Sequence, residues 1–396
     1  MFKEPAMNTS THDTRAVVDG YCDDRFEPVR AAFEQSFAAG EEVGAAVSIV
    51  LEGETVVDLW GGFRDAARTQ AWDRDTIVCC MSSSKGLSAI CFGMAVDRGL
   101  IDIDAPVATY WPEFAQNGKA DLPVRYILDH RAGLPYVEEL GPGKQYDFAA
   151  MVEQLARQKP LWEPGTVTAY HVMTQGYLLG EILRRVTGKN IGQFLRSEVS
   201  GPLGADFHIG LTREEQARCA HFIVAHNLFA ARDLDPPTIL SRGWDQMPAE
   251  PDMDVILNSK EWRESEIASG SGHGNARALA RIWGAIACGG TIDGVTLMSP
   301  DGVRKLGTLQ HEEVEIRHNR VYRQGLGLVL NSPPIMDFGP NPATFGHGGI
   351  GGSLGIADPD RHLSFGYTPN KMHDGPDAGP RAGRLITATY ESVARL

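Results

Sequence analysis

The stretch "CCMSSSKGLSAICFGMAVDRGL", Cys79 to Leu100, decides how the rest of this chain is read. After Lys85, the residues Leu87, Ile90, Cys91 and Met94 recur at i, i+3, i+4 and i+7, the spacing of one apolar helix face. Gly86, Ser88, Ala89 and Gly93 keep the other faces small, so the spacing predicts a helix enclosed on most sides. Ser82 and Lys85 are three apart and share a face at its start. Free backbone N–H groups and the positive end of the helix dipole gather there. A lysine amine desolvated at such a place has its neutral form favoured and can take a proton. A serine beside it is an activated nucleophile. Taken alone, the spacing fits equally a capping serine and a lysine whose stem lies over the apolar helix. The apolar run behind the pair favours chemistry, because a lysine there must be paired or used.

Outward from this helix, "GAAVSIVLEGETVVDLWGG" (44–62) reads as two strands joined at Glu52–Gly53–Glu54, preceded by a helix in "FEPVRAAFEQSFAAG" (26–40). Helices are expected in "YDFAAMVEQLARQ" (146–158), "TQGYLLGEILRRVTG" (174–188, stopped by Gly188) and "NARALARIWGAIACGG" (275–290). Short Gly-rich strands are expected in "GLGLVL" (325–330), "GGSLGIAD" (351–358) and "HLSFGYT" (362–368), and a closing helix in "GRLITATYESVARL" (383–396). Strands at both ends make one sheet only if the two ends of the chain return to each other. The expected organisation is therefore a loose tail over 1–20, an α/β sheet lobe from 21–80 and 266–396, and a mostly helical lobe over 81–265. That second lobe carries a variable insertion at about 211–265. A cleft between the lobes is a natural ligand site.

The formal net charge of −14 over 396 residues argues against a general nucleic-acid binder, which needs a basic face. No stretch approaches the roughly 18 apolar residues of a membrane span, and residues 1–20 lack the apolar core of a signal peptide. Six cysteines are scattered without zinc-type spacing, as expected for reduced thiols in a cytoplasmic protein.

Two further motifs stand downstream. "LWEPGTVTAYHVMTQ" places Tyr170 after a turn and before a helix, and "FGHGGIGGSLGIADPD" places His347, Gly348 and Gly349 at a strand, where glycines let a substrate lie close. Each alone has an ordinary structural explanation. In this order, Ser82-x-x-Lys85, Tyr170 and His347-Gly-Gly together resemble the serine β-lactamase and penicillin-binding-protein superfamily. The resemblance is nearest to the class C-like esterases called family VIII carboxylesterases. The phrases "ILDHRAGLPY", "EILRRVTG", "PLGADFHIG" and "GHGNARALARI" agree with it, over about residues 25–395 and weakest over 211–265. It implies an α/β (α+β) fold of β-lactamase type: an antiparallel sheet flanked by helices, a mostly helical lobe, and the cleft between.

The resemblance implies that Ser82 is the acyl-accepting nucleophile and that Lys85 and Tyr170 move its proton. It places the oxyanion hole at the backbone N–H groups of Ser82 and Ile350, and requires no metal or organic cofactor. Two departures bear on the substrate. Position 172 is Val172 where β-lactamases keep an asparagine, and His347 stands where they keep a lysine. Both favour an uncharged small-molecule ester over a β-lactam or a cell-wall peptide. Tyr136 is implied to line the cleft, and Phe222, Phe229, Trp244 and Trp262 are candidates for a pocket wall or for core. His130, His171 and His273 have no metal-ligand spacing. Gly351-x-Ser353-x-Gly355 also fits the α/β-hydrolase elbow, but that motif needs a helix after the serine and a strand is expected here. The expected activity is that of a carboxylesterase working through an acyl-serine. An acyltransferase or β-lactamase/amidase on the same site is an alternative, as is a non-catalytic binding protein on the same scaffold. No nucleic-acid or membrane partner is expected, and the oligomeric state is left open.

Overall fold

The structure, a computed structural model, describes residues 17–227, 229, 238–334, 336–375 and 378–396. Nine strands form one antiparallel sheet. From the first part of the chain come β1 (Val18–Cys22), β2 (Gly44–Leu51) and β3 (Glu54–Gly62). Three short strands, β4 (Val78–Cys79), β5 (Phe207–Ile209) and β6 (Gly272–Gly274), make a second small sheet, and β7 (Thr291–Ile292) with β8 (Val295–Thr296) a hairpin. The large sheet is completed by β9 (His311–Glu315), β10 (Arg320–Gln324), β11 (Val329–Leu330), β12 (Phe345–Gly348), β13 (Leu354–Asp358) and β14 (Leu363–Pro369). Its order is β1-β3-β2-β14-β13-β12-β11-β10-β9, so the two ends of the chain meet where β2 pairs with β14.

Strand β2 shows why both faces are covered. Ala45, Val47 and Ile49 join one apolar cluster, and Ala46 and Val50 join the other, as a two-residue repeat requires. On the first face lie α1 (Glu27–Ala38) and the C-terminal helix α6 (Gly379–Val393), through Phe26, Val29, Phe33, Leu385 and Ile386. On the second lies α5 (Ala276–Ala287), which packs on β14 and β2. Gly366 of β14 permits that approach, because a Cβ there would stand 2.3 Å from Ala276 O. Between β3 and β9 the chain leaves the large sheet. It builds α2 (Ser83–Asp97), α3 (Phe148–Arg157) and α4 (Thr174–Thr187), which share one continuous core. Helix α4 ends at Gly188 with φ 73°, as the sequence predicts.

Three expectations change. The expected tail lies outside the described residues up to residue 16, but Val18–Gly20 belong to β1. The strand expected over Gly325–Leu330 shrinks to β11, because Gly327 adopts φ 75° and breaks it. The β9–β10 hairpin was not expected: "HEEVE" and "RVYRQ" mix charge with apolar residues, and Val314 and Val321 pair across it while about half exposed.

Candidate active site

Strand β4 leads straight into α2 through Met81, whose backbone is left-handed at φ 44°. A non-glycine residue held there stores roughly 1–3 kcal/mol of strain, as functional turns often do. Cys80 N–H donates to Gly272 O at 2.8 Å and anchors the turn to β6. The three consecutive serines then separate by their partners. Ser84 Oγ donates to Met81 O and accepts from Gly272 N–H at 2.9 Å. Ser83 Oγ meets Ser353 Oγ at 3.0 Å. Ser82 takes the N-cap position without making a capping bond, so its hydroxyl is left for other work.

Lys85 lies one turn on, 2% exposed. Its Nζ donates to Val172 O at 2.7 Å and Ser269 O at 2.8 Å and stands 3.5 Å from Ser82 Oγ. Among the described residues no carboxylate lies within ion-pair distance of it, so nothing offsets its burial. Burial, helped by the Arg317 cation, holds the amine well below its ordinary pKa. Tyr170 reaches the same point from the other side. Its phenol is near enough to Ser82 for that side chain to act on its titration, and Lys85 Nζ lies 4.7 Å from its ring centre. Burial pushes the phenol upward, and Ser82 opposes that shift.

The backbone of Tyr170 is held on both flanks. Ala169 N–H donates to His130 O, and His171 N–H to His130 Nδ1. His171 Nε2 accepts from Leu134 N–H, which leaves its Nδ1–H for Ala169 O at 2.7 Å. Burial keeps His130 well below its ordinary pKa and His171 at about 4, so both are neutral spacers in this wall. His273 is likewise buried, bonded to Ser271 O.

The third motif arrives on β12. Gly349 N–H donates to Ser353 O, and a Cβ at Gly349 would stand 3.2 Å from Ser82 N, so this turn lies against the backbone of Ser82. Among the described residues neither Ser82 N–H nor Ile350 N–H donates to another backbone carbonyl. His347 is buried, its Nδ1 2.7 Å from Gly348 O. Desolvation, with Lys85 nearby, lowers it to about 3, so the imidazole is neutral. Ser353 is buried, donates to Cys80 O at 2.6 Å and runs into strand β13, not a helix. Gly355 is small because a Cβ there would meet Trp283 Nε1 at 2.2 Å. The Gly-x-Ser-x-Gly pattern is thus a packing pattern.

Val172 serves Lys85 through its carbonyl, while its side chain offers a substrate no amide. Tyr136 is packed: Arg242 lies 4.2 Å over its ring and donates to its hydroxyl at 3.1 Å. Trp262 is fully buried and donates to Cys79 Sγ, and Phe222 also joins the core. Phe229 and Trp244 stack edge-on at 5.4 Å.

One group was missed by the sequence reading. The last residue of β9, Glu315, stands against Tyr170 N–H at 2.7 Å, and the turn that follows brings Arg317 and His318 with it. The only hint was the dense mix of charge in "HEEVEIRHNRVYRQ".

Residues 29–389 match the family model described as Beta-lactamase. The chain belongs to the β-lactamase family. Esterase/beta-lactamase LipL of Mycobacterium tuberculosis is 34% identical over 362 residues, covering 90% of this chain and 83% of that one. A family VIII carboxylesterase of known structure is 38% identical with a TM-score of 0.88, covering 95% of this chain and 100% of that one. A penicillin-binding-protein homologue from Caulobacter crescentus gives 38% identity and a TM-score of 0.87 with the same coverage. The fold expected from the sequence is the observed one, and the protein is a β-lactamase-family hydrolase with esterases among its relatives. No helix among the described residues is long and apolar enough to cross a membrane.

Proposed function

We propose that the protein is a carboxylesterase that cleaves small uncharged esters through an acyl-serine on Ser82. The observation that carries this reading is the convergence on the buried Lys85 amine of Ser82 Oγ, at 3.5 Å, and of the Tyr170 ring, at 4.7 Å. Ser82 Oγ attacks the ester carbonyl carbon while its proton passes to the Lys85–Tyr170 pair, which titrates as a unit. The carbonyl oxygen becomes an oxyanion held by the N–H groups of Ser82 and Ile350, where each donor is worth about 3 kcal/mol in the transition state. The C–O bond to the alcohol breaks, and the leaving oxygen takes the proton back from the pair. Water then attacks the acyl-serine while its proton passes to the Lys85–Tyr170 pair, which returns it to Ser82 Oγ as the C–O bond to serine breaks and the acid departs.

The substrate class follows from charge. The third-motif imidazole is buried and neutral, and Val172 presents no amide, so neither is suited to a substrate carboxylate or a lactam side-chain amide. The free cysteines, of which Cys79, Cys80 and Cys91 are buried, fit a reducing, cytoplasmic setting. Treatment with p-nitrophenyl butyrate and with a phosphonate ester tests the reading. Turnover and a stoichiometric adduct on the peptide carrying Ser82 are expected, and both are lost in Ser82→Ala. An adduct elsewhere, or turnover surviving that substitution, refutes it. Added alcohol that diverts most of the acyl group into a new ester would instead identify an acyltransferase.

A further inference from the structure

The turn between β9 and β10 has no place in the chemistry derived above, yet it is bonded directly to it. Glu315 is 2% exposed. Its Oε1 accepts from Tyr170 N–H at 2.7 Å and Arg317 N–H at 2.9 Å, and its Oε2 from His318 N–H at 2.9 Å and His318 Nδ1 at 2.8 Å. One carboxylate therefore ties the segment carrying Tyr170 to the turn. Two further bonds repeat the tie: Ile316 N–H to Thr168 O, and Thr168 Oγ1 to Glu313 Oε2. Arg317 is folded inward, 8% exposed, against Gly243 and 6.0 Å over the Trp244 ring.

We propose that the end of β9 and the turn after it are a positioning element of the reaction: the Glu315 carboxylate fixes the backbone of Tyr170 and ties it to the buried turn that carries Arg317 and His318. The inference rests on the Tyr170 and Lys85 roles proposed above. Burial works against Arg317 and lowers it to about 10, so it remains a cation through the neutral range. The charges of this turn reach the pair beside it: Arg317 lowers both Tyr170 and Lys85, whereas Glu315 raises Tyr170. The other groups facing the phenol are Lys85 from α2, His130, His347 from β12, His318 from the turn and Tyr322 from β10. His130 and His347 are held neutral by burial, which leaves His318 to be controlled.

The test is the pH dependence of kcat/KM for p-nitrophenyl butyrate, read from pH 5 to 9.5 with the full chain. Arg317→Met is expected to move the acid limb upward, so that activity falls about three- to tenfold at pH 6 and changes little at pH 9. Glu315→Gln keeps an acceptor for Tyr170 N–H while removing a negative charge, and its limb is expected to move downward. The opposite shifts are the signature, because a merely structural loss scales the whole profile. If Arg317→Met does not fold, as judged by circular dichroism, the Glu315→Gln limb decides alone. Profiles that scale without shifting overturn the proposal, as does a limb that moves only in His318→Asn. Tyr170→Phe separates this inference from the reading beneath it. If that variant turns over normally, the assignment of Tyr170 fails. If it is silent while Arg317→Met leaves the limb in place, only the role of the turn fails.

Discussion

Gly348 and Gly349 are neighbours at the end of β12, yet a methyl group added to each meets different surroundings. At Gly348 the nearest atoms would be Leu354 Cδ1 at 3.6 Å and Ser353 O at 3.7 Å, which is ordinary contact. At Gly349 the Cβ would lie 2.3 Å from Cys80 O and 2.4 Å from Ser353 Oγ, with Ser82 N at 3.2 Å. The Cys80 carbonyl is backbone two residues before Ser82, so relief requires a displacement of about 1 Å between Ser82 and the Ile350 N–H. Misplacement of that size costs on the order of 10²-fold in rate, or about 2.7 kcal/mol of transition-state stabilisation. Gly349→Ala is therefore expected to lose about 10²-fold in kcat on p-nitrophenyl butyrate, while Gly348→Ala keeps kcat within about threefold and shows any effect in KM. Thermal melting of both variants separates displacement from unfolding. If Gly349→Ala retains its kcat, or Gly348→Ala loses as much, the oxyanion hole is not where this turn puts it.

Three other expectations can be checked with the same protein preparations. Ser353→Ala should keep turnover but melt lower, since its bonds to Cys80 O and Ser83 Oγ are buried and together contribute about 2 kcal/mol, or roughly 2–3 °C for a chain this long; Ser82→Ala should show the reverse. Lys85→Met should lose about 10²–10⁴-fold in kcat. Because burial depresses the amine, the folded state binds fewer protons than the unfolded chain, and wild-type stability rises with pH in the window below the ordinary lysine value; the melting temperature of Lys85→Met relative to wild type should therefore increase as pH falls from about 9 to 6. Arg381→Ala should cost about 3–5 kcal/mol, because it leaves the buried Glu42 carboxylate without its guanidinium and removes one of the two donors to Gly351 O, the other being His373 N–H. Recovery of part of that loss in the Glu42→Gln, Arg381→Ala double variant, measured by melting, checks the cause.

How far the sequence could be read depended on what kind of signal each element carries. Helix α2 was legible because its apolar period and its serine–lysine spacing sit in one continuous stretch. Strands β2, β3, β13 and β14 were legible as short apolar runs bounded by turns, and their union in one sheet only as the condition that the two ends of the chain return to each other. The β9–β10 hairpin was not, because an edge strand with alternating charge has no apolar run to find. Glu315 and Arg317 were invisible for a related reason: their meaning lies in the approach of a hairpin to Tyr170, 145 residues earlier in the chain. The choice among Ser82, Ser83 and Ser84 came to rest on the motif spacing; only the structure gives the other two hydroxyls their partners.

The union of β2 with β14 has a consequence for biosynthesis. Gly44 N–H finds its acceptor on Asn370 Oδ1, 326 residues further along. A ribosome must deliver those intervening residues before the second strand acquires its neighbour, so the early hairpin emerges with apolar surface on both sides and one flank unzipped. Such non-local closure is slow and invites aggregation. Yield in a heterologous host should accordingly respond to temperature and to holdase chaperones more than to codon choice near the start.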